Sequence, residues 1–353
     1  MITPDPLEGT KYQVHRTLDG EPVVLGTGGV GIVFEAVVAE SGEHVAVKVL
    51  RPELVVDDSI RERALREASR LASLDYHCIV KFREAGETAA GLPFIAMELL
   101  SGRTLAQRLQ EEGPINQREA IGLMLQVLEG LWFMHSRSVI HRDLKLDNIF
   151  LCDDSKVKIL DVGLAKELRH HSSDVAENSL TSKGTIIGTP RYMSPEQASG
   201  LRADERSDVY TAAYIFYTMI SGRLPFEQYH EARDLLLAHA IRPAEPPSRH
   251  LPGLISENLD AVVMKALEKD PADRFQTAQQ FARALYRTVQ SEDLALAEAG
   301  ASSPSASPRL ETSARLHRNR RVVCKVLIFL TISVALTASL TRVVAWVIVR
   351  NSQ

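Results

Sequence analysis

Several residue groups in this chain of 353 residues have types and spacings suited to handling phosphate. The run Gly26-Thr27-Gly28-Gly29-Val30-Gly31-Ile32-Val33 repeats glycine so that the backbone can come close to phosphate oxygens and offer N–H donors to them. A dinucleotide site would need a helix after such glycines. The following residues continue as a strand pattern instead, which excludes that use. Lys48 ends the alternating run Val45-Ala46-Val47-Lys48, and Glu67 falls on the apolar face of a helical pattern with Ile60, Ala64, Leu71 and Leu74. A carboxylate there is costly without a partner. Lys48, rising from the sheet below, is the natural partner, and the pair would hold the lysine within reach of nucleotide phosphates.

The richest cluster is His141-Arg142-Asp143-Leu144-Lys145-Leu146-Asp147-Asn148, between the strand-like segments Ser138-Val139-Ile140 and Ile149-Phe150-Leu151. A turn at Asp153-Asp154 sends the chain back as Val157 to Leu160, which returns Asp161 to the neighbourhood of Asn148. Two oxygen ligands converging there suit Mg²⁺, a hard cation that takes carboxylates, amides and substrate phosphates. Asp143 is left to accept a hydroxyl proton.

The elements that must position these groups divide the chain. Up to about residue 100 the pattern is β-rich, with strands over 12–50, a turn at Glu40-Ser41-Gly42-Glu43 and a short strand at Phe94-Ile95-Ala96-Met97. One helix is expected at about 57–74, capped by Asp57 or Asp58. Beyond that the pattern is helical. Asn116 with Glu119 reads as a capping box ahead of a face formed by Ala120, Leu123, Met124, Val127, Leu128, Leu131 and Met134. Residues 207–221 are apolar nearly all round, as in a helix buried inside a lobe. Two further helices are expected at 258–268 and 277–289, and the Ser-, Ala- and Pro-rich stretch from Ala299 to Pro308 reads as flexible.

Taken together these motifs resemble the eukaryotic-type protein kinases, and are most similar to the bacterial membrane-tethered Ser/Thr kinases. The resemblance covers about residues 12–290. It implies an α+β bilobal fold, with a small antiparallel β-rich N-lobe with one helix at 12–100 and a larger, mainly helical C-lobe at 101–290. ATP with Mg²⁺ (or Mn²⁺) is expected between the lobes. In the family the glycine loop covers ATP, the lysine binds its phosphates and the helix glutamate pairs with that lysine. Those roles fall on Gly26, Gly28, Gly31, Lys48 and Glu67. Leu25, Val33 and Ala46 would line the nucleotide, Met97 would stand behind the adenine, and Glu98 and Leu100 would offer it backbone hydrogen bonds. The resemblance makes Asp143 the catalytic base and Lys145 the residue that steadies the transferring phosphoryl group, with Asn148 and Asp161 as metal ligands.

Further marks agree. Gly188-Thr189-Pro190-Arg191-Tyr192-Met193-Ser194-Pro195-Glu196 looks like the segment that docks substrate, and Glu196 should pair with Arg274. Asp208 resembles the aspartate that braces the catalytic loop. Lys145 with Thr189 looks like the Ser/Thr pattern. Arg142 suggests control by a phosphate in the loop 162–187, where Thr181, Ser182 and Thr185 are the candidate acceptors. There are departures: Val162 stands where the family has phenylalanine and fills less space beneath the Glu67 helix, which bears on the on/off equilibrium, Leu146 stands where proline is usual, and Ser194 stands where alanine is commoner.

The overall net charge of −4 gives no case for nucleic-acid binding. Yet residues 301–353 carry eight Arg or Lys against one acid, so the tail is basic behind an acidic body. Cys78, Cys152 and Cys324 are far apart and match no metal spacing, which points to reduced thiols in a cytosolic body. The N-terminal residues lack the basic start and apolar run of a signal peptide. Residues 322–349 are strongly apolar apart from Lys325 and Arg342, and are expected to form a C-terminal transmembrane helix after a flexible basic linker at 291–321. The arginines that precede this segment place the kinase on the cytoplasmic face of the cell membrane, single-pass. The expected activity is transfer of the γ-phosphoryl group of ATP to Ser/Thr hydroxyls of proteins, including the chain's own loop, with a homodimer as the arrangement for that self-reaction. Two rivals remain, a catalytically weak pseudokinase acting as a membrane scaffold and a small-molecule phosphotransferase on a related fold.

Overall fold

The computed structural model describes residues 5–55, 74–162 and 190–301. The helix expected at 57–74 with Glu67 (its last residue, Leu74, apart), the loop acceptors Thr181, Ser182 and Thr185, Gly188 and Thr189, and the apolar segment 322–349 lie outside the described residues. The chain divides into two compact units, residues 1–285 and 286–353.

The first unit begins with an antiparallel sheet. Its strands are β1 (Tyr12–Val14), β2 (Val24–Thr27), β3 (Gly31–Val38), β4 (His44–Leu50), β5 (Phe82–Glu87) and β6 (Pro93–Glu98). The order is β1-β3-β4-β6-β5, with β2 paired to β3. Apolar residues alternate on β3, so Phe34 and Ala36 face a core with Leu7, Tyr12, Val45, Val47, Phe94 and Ala96. Leu7 is fully buried there, so the lobe starts ahead of the expected residue 12. On β4 every residue from Val45 to Leu50 is buried, because this central strand has its second face toward the cleft. Gly31 is set by a close approach: a Cβ at this position would collide with Val49 O on the neighbouring strand.

The second lobe opens with a small sheet of β7 (Gly102–Thr104), β8 (Ile149–Cys152) and β9 (Val157–Ile159), in that order. Helix α1 (Leu105–Glu112) starts with a capping box of Thr104 and Gln107. Helix α2 (Gln117–His135) starts where Asn116 accepts a bond from Glu119 N at 3.0 Å. The Asn116 amide also donates to the Glu119 carboxylate, so the expected pair is present with the reciprocal bond made side chain to side chain. After the one-turn α3 (Pro195–Ala198) comes α4 (Glu205–Ser221), buried at every position from Ser207 on and ended by Gly222 at φ 72°. That left-handed angle is the usual glycine helix stop. Helix α6 (Glu257–Ala266) packs against α4, and helix α5 (Ala232–Ile241) packs against α3 and sets His239 against Tyr210 and Tyr214 of α4.

The last helix, α7, runs Ala278–Ala301 and crosses from the first unit into the second. Residues 291–301 are therefore helical where a flexible linker was expected. The run Leu294-Ala295-Leu296-Ala297-Glu298-Ala299 is made of strong helix formers, which outweigh the small-residue composition. Among the described residues no helix is long and apolar enough to cross a membrane.

Candidate active site

The site is assembled by strand register on one side and by a braced loop on the other. Val33 stands opposite Lys48 on the β3–β4 ladder, and Ala46 stands opposite Met97 on β4–β6. Those pairings bring the nucleotide-lining candidates together around Lys48. The glycine run closes as a hairpin, with Gly28 N donating to Gly31 O at 3.0 Å. Leu25 is half exposed at the rim. Glu98 ends β6, and Leu100 follows on the connection to β7.

Lys48 is nearly buried, and its Nζ donates to Asp161 Oδ1 at 2.7 Å. The expected partner Glu67 lies outside the described residues; Asp161 is the partner found. Asp161 has φ 52°, in the left-handed region, so the backbone turns sharply at the end of the β8–β9 hairpin. Burial works to raise its pKa, but the charge and hydrogen bond of Lys48, with Lys145 and His141 further off, hold it below the usual carboxylate range. The side chain keeps 42% of its accessible surface, so water still reaches it. The short contact to a cation decides in favour of the ionised form.

The catalytic-loop candidates are fixed by buried hydrogen bonds. Asp208, at the start of α4, accepts from His141 N at 2.8 Å and Arg142 N at 3.0 Å, and contacts His135 Nε2 at 2.8 Å. Burial alone would raise the Asp208 pKa; the His135 bond and the neighbouring imidazoles bring it below its ordinary value. The His141 ring spans from Leu160 O, at 3.0 Å, to Asp143 N, at 3.3 Å. Arg142 adopts φ 62°, and its carbonyl accepts from Gln197 Nε2 at 2.9 Å. Asn148 donates its side-chain amide to Asp143 O at 2.9 Å, while its backbone carbonyl accepts from Leu160 N at 2.8 Å. So the hairpin does return Asp161 to Asn148. An ionised carboxylate beside an oriented amide is a hard oxygen donor set that fits a divalent ion such as Mg²⁺. Lys145 Nζ lies 4.0 Å from Asp143 Oδ2, and both side chains keep partial exposure.

Beneath the substrate-docking candidate, Glu196 and Arg274 form a two-pronged buried pair at 2.8 and 3.0 Å. Arg274 also donates to Glu268 O, Lys269 O and Arg206 O, and Ser207 Oγ donates to Glu196. Burial opposes the Glu196 charge, but Arg274 and Ser207 keep its pKa below the ordinary value.

Sequence reasoning missed His135, Gln197 and Lys158. Lys158 Nζ lies 2.6 Å from Glu98 Oε1 and ties the end of β6, next to Leu100, to β9. An isolated lysine on a strand carries no signal for this. For His135 the signal was its place in the last turn of a helix ahead of the loop. Val162 is buried with Leu74, Ile79, Phe133 and Met134. A cavity beside it is lined by Lys48, Leu74, Phe82, Ile95 and Met97 among others.

The sequence profile of the protein kinase domain matches residues 21–286. Over 272 residues the chain is 38% identical to the serine/threonine-protein kinase PknB of Mycobacterium tuberculosis, covering 76% of this chain and 42% of that protein. It is 37% identical over 270 residues to the probable serine/threonine-protein kinase PknB of Corynebacterium glutamicum, covering 75% of this chain and 41% of that protein. The chain thus spans about two fifths of the length of these curated relatives. The crystal structure of the Mycobacterium tuberculosis PknI kinase domain superposes with a TM-score of 0.62 at 25% identity, covering 82% of this chain and 99% of that one, and supports the bilobal fold. The glycine hairpin, the Lys48–Asp161 contact and the braced catalytic loop sit within the region that the profile matches, and the chain belongs to the protein kinase domain family.

Proposed function

We propose that this chain is an ATP-dependent protein Ser/Thr kinase that transfers the γ-phosphoryl group to protein hydroxyls, its own loop included. The observation that carries the reading is the convergence of Lys48, Asp161, Asn148 and Asp143 on one cleft, with Lys48 held 2.7 Å from Asp161. The names of the similar bacterial proteins support the Ser/Thr class.

In this reading Lys48 binds nucleotide phosphate and the Gly26–Gly31 hairpin covers it with backbone N–H groups. Asp161 and Asn148 would hold a divalent cation, Mg²⁺ or Mn²⁺, which supplies charge neutralisation on the phosphates when bound. Asp143 accepts the proton of the incoming Ser or Thr hydroxyl as that oxygen attacks. Lys145, beside it, balances the charge of the transferring group. The buried Glu196–Arg274 pair holds the segment against which a protein substrate would lie. Residues 322–349 are proposed as a membrane anchor with the kinase on the cytoplasmic side, where a homodimer would permit phosphorylation of one copy by the other. If the full chain and a chain ending at Ala301 fractionate alike between membrane and supernatant, the anchor is wrong.

The test is phosphorylation by the full chain of itself with labelled ATP and Mg²⁺, beside Lys48→Met. Label in the wild type alone, mapped to Ser or Thr, is expected. Its absence from both proteins would favour the second reading, a weak or silent pseudokinase, for which Val162 and the cavity beside it are the one motivating observation.

A further inference from the structure

On the N-lobe sheet three side chains with metal-binding atoms converge and take no part in the chemistry above. Glu35 lies on β3, His44 opens β4 and His15 directly follows β1, so they come from three neighbouring antiparallel strands. His15 N also donates to Glu35 O at 2.8 Å, which fixes the backbone beneath the group. Both imidazoles turn the same atom inward: His15 Nδ1 lies 2.9 Å and His44 Nδ1 2.8 Å from a single oxygen, Glu35 Oε1. The two rings stand edge to face, with centroids 5.4 Å apart. The three candidate ligand atoms all lie within 4.8 Å of one another.

We propose that His15, Glu35 and His44 form a binding site for a divalent transition-metal ion of the zinc class. Imidazole nitrogen and carboxylate oxygen bind Zn²⁺ at about 2.0–2.2 Å, so ligands of one tetrahedron stand about 3.3 Å apart. The two nitrogen–oxygen separations need to open by only a few tenths of an ångström to admit the ion. On binding, each imidazole keeps its proton on Nε2 and presents the Nδ1 lone pair. Two nitrogens and one oxygen leave a tetrahedral position for water, and this donor set favours Zn²⁺, Cu²⁺ or Ni²⁺ over Mg²⁺, which wants an octahedron of oxygens. The ligands sit on a ladder and not on a mobile loop. Both histidines are about half exposed, so an ion can enter, while Glu35 is largely covered.

The site is separate from Asp161 and Asn148 but not remote in structure from the cleft. Glu35 stands opposite Ala46 in the β3–β4 register, and His44 precedes Ala46 by two residues on the same strand and therefore the same face. An ion there would clamp β1, β3 and β4 together and stabilise the sheet that carries Lys48, by mass action on the folded form. A second cluster, His77, Cys78 and Glu129, is less suited. Burial pushes the Cys78 thiol far above its ordinary pKa, and Glu129 already accepts from Tyr76 OH at 2.7 Å.

The test is titration of the full chain in detergent, stripped with chelator and free of nucleotide and Mg²⁺, with Co²⁺ as the coloured probe and Zn²⁺ as competitor. One equivalent of Co²⁺ should develop a visible d–d band that Zn²⁺ abolishes. His15→Ala and His44→Ala should each weaken binding by about tenfold or more, Glu35→Gln likewise, while Asp161→Asn and His77→Ala leave it unchanged. Zn²⁺ should raise the melting temperature of the wild type and not that of the His15→Ala/His44→Ala double variant, whose melting point in chelator should match the wild type and show that it folds. The proposal is overturned if binding is not saturable, persists in the double variant, or is lost in Asp161→Asn or His77→Ala.

Discussion

Asn148 Nδ2 donates to the backbone oxygen of Asp143 at 2.9 Å, so the proposed metal ligand also locks the loop that presents the proposed base. The Asp143 carboxylate is left to the cleft, with Lys145 Nζ 4.0 Å away. Asp143→Asn keeps the shape and these backbone bonds but removes the proton acceptor. Phosphorylation should fall by about 10²–10⁴-fold, the usual contribution of a general base. ATP binding, followed by fluorescence or calorimetry, should stay within a few fold of the wild type. Full transfer activity in this variant would remove Asp143 from its role.

Glu196 and Arg274 are both buried; Arg274 donates to the Glu196 carboxylate and to three backbone carbonyls, and the Ser207 hydroxyl also donates to Glu196. Glu196→Gln leaves the guanidinium uncompensated in the interior, which should cost about 3–5 kcal/mol in urea unfolding. The pair also contributes to acid sensitivity. The folded-state pKa of Glu196 is depressed, so its stabilisation is present above the ordinary carboxylate pKa and lost as pH falls through the folded value. The variant should lose that part of the acid slope below about pH 4.5. An unchanged midpoint would show the pair to be replaceable.

Which parts of the site were legible in the sequence follows from how local their signals are. The β8–β9 hairpin is written in a turn at Asp153-Asp154 between two apolar runs, so the return of Asp161 to Asn148 could be foreseen. The Glu196–Arg274 pair spans 78 positions and was foreseen only through flanking residues that resemble a family. Lys158 on Glu98 and Gln197 on the Arg142 carbonyl had no such flanks, and they exist because of tertiary packing alone. The extent of α7 was misjudged because small residues can serve a linker or a helix, and helix propensity decided between them. Leu7 was missed because one apolar side chain has no periodicity.

Val162 occupies a buried position among Leu74, Ile79, Phe133 and Met134 and lines a cavity together with Lys48 and Met97. Filling that space with Val162→Phe should stabilise the protein by about 0.5–2 kcal/mol, the usual gain from cavity filling. A melting curve reads the change, and phosphorylation assayed in parallel shows whether the activity was held down by the smaller side chain. A lower melting temperature would mean that the site is already packed and that the larger ring strains it.

His239 on α5 is fully buried against Tyr214, Phe226 and Tyr210, with ring centroids 5.1, 5.3 and 6.4 Å away. Its backbone oxygen accepts from Lys269 Nζ at 2.9 Å. Burial, with the nearby Lys269 charge, pushes the imidazole pKa down to about 3, only partly offset by the Arg191 backbone. The ring is therefore neutral in the fold, whereas the unfolded chain protonates it below about pH 6.5. The unfolded state then binds the extra proton, so stability falls as pH drops below 6.5, by at most about 1.4 kcal/mol per pH unit. Lys269, pushed down to about 8, is protonated in both states over this range and adds no slope. Glu196 and Asp208, whose folded pKa values are depressed, take up protons only at lower pH. The interval from pH 6.5 to 5 is thus where His239 acts without them. Unfolding free energies measured across it should decline for the wild type and flatten for His239→Leu, which keeps an apolar side chain in the same pocket and has nothing to protonate. Equal slopes in the two proteins would show that the wild-type fold accommodates the imidazolium.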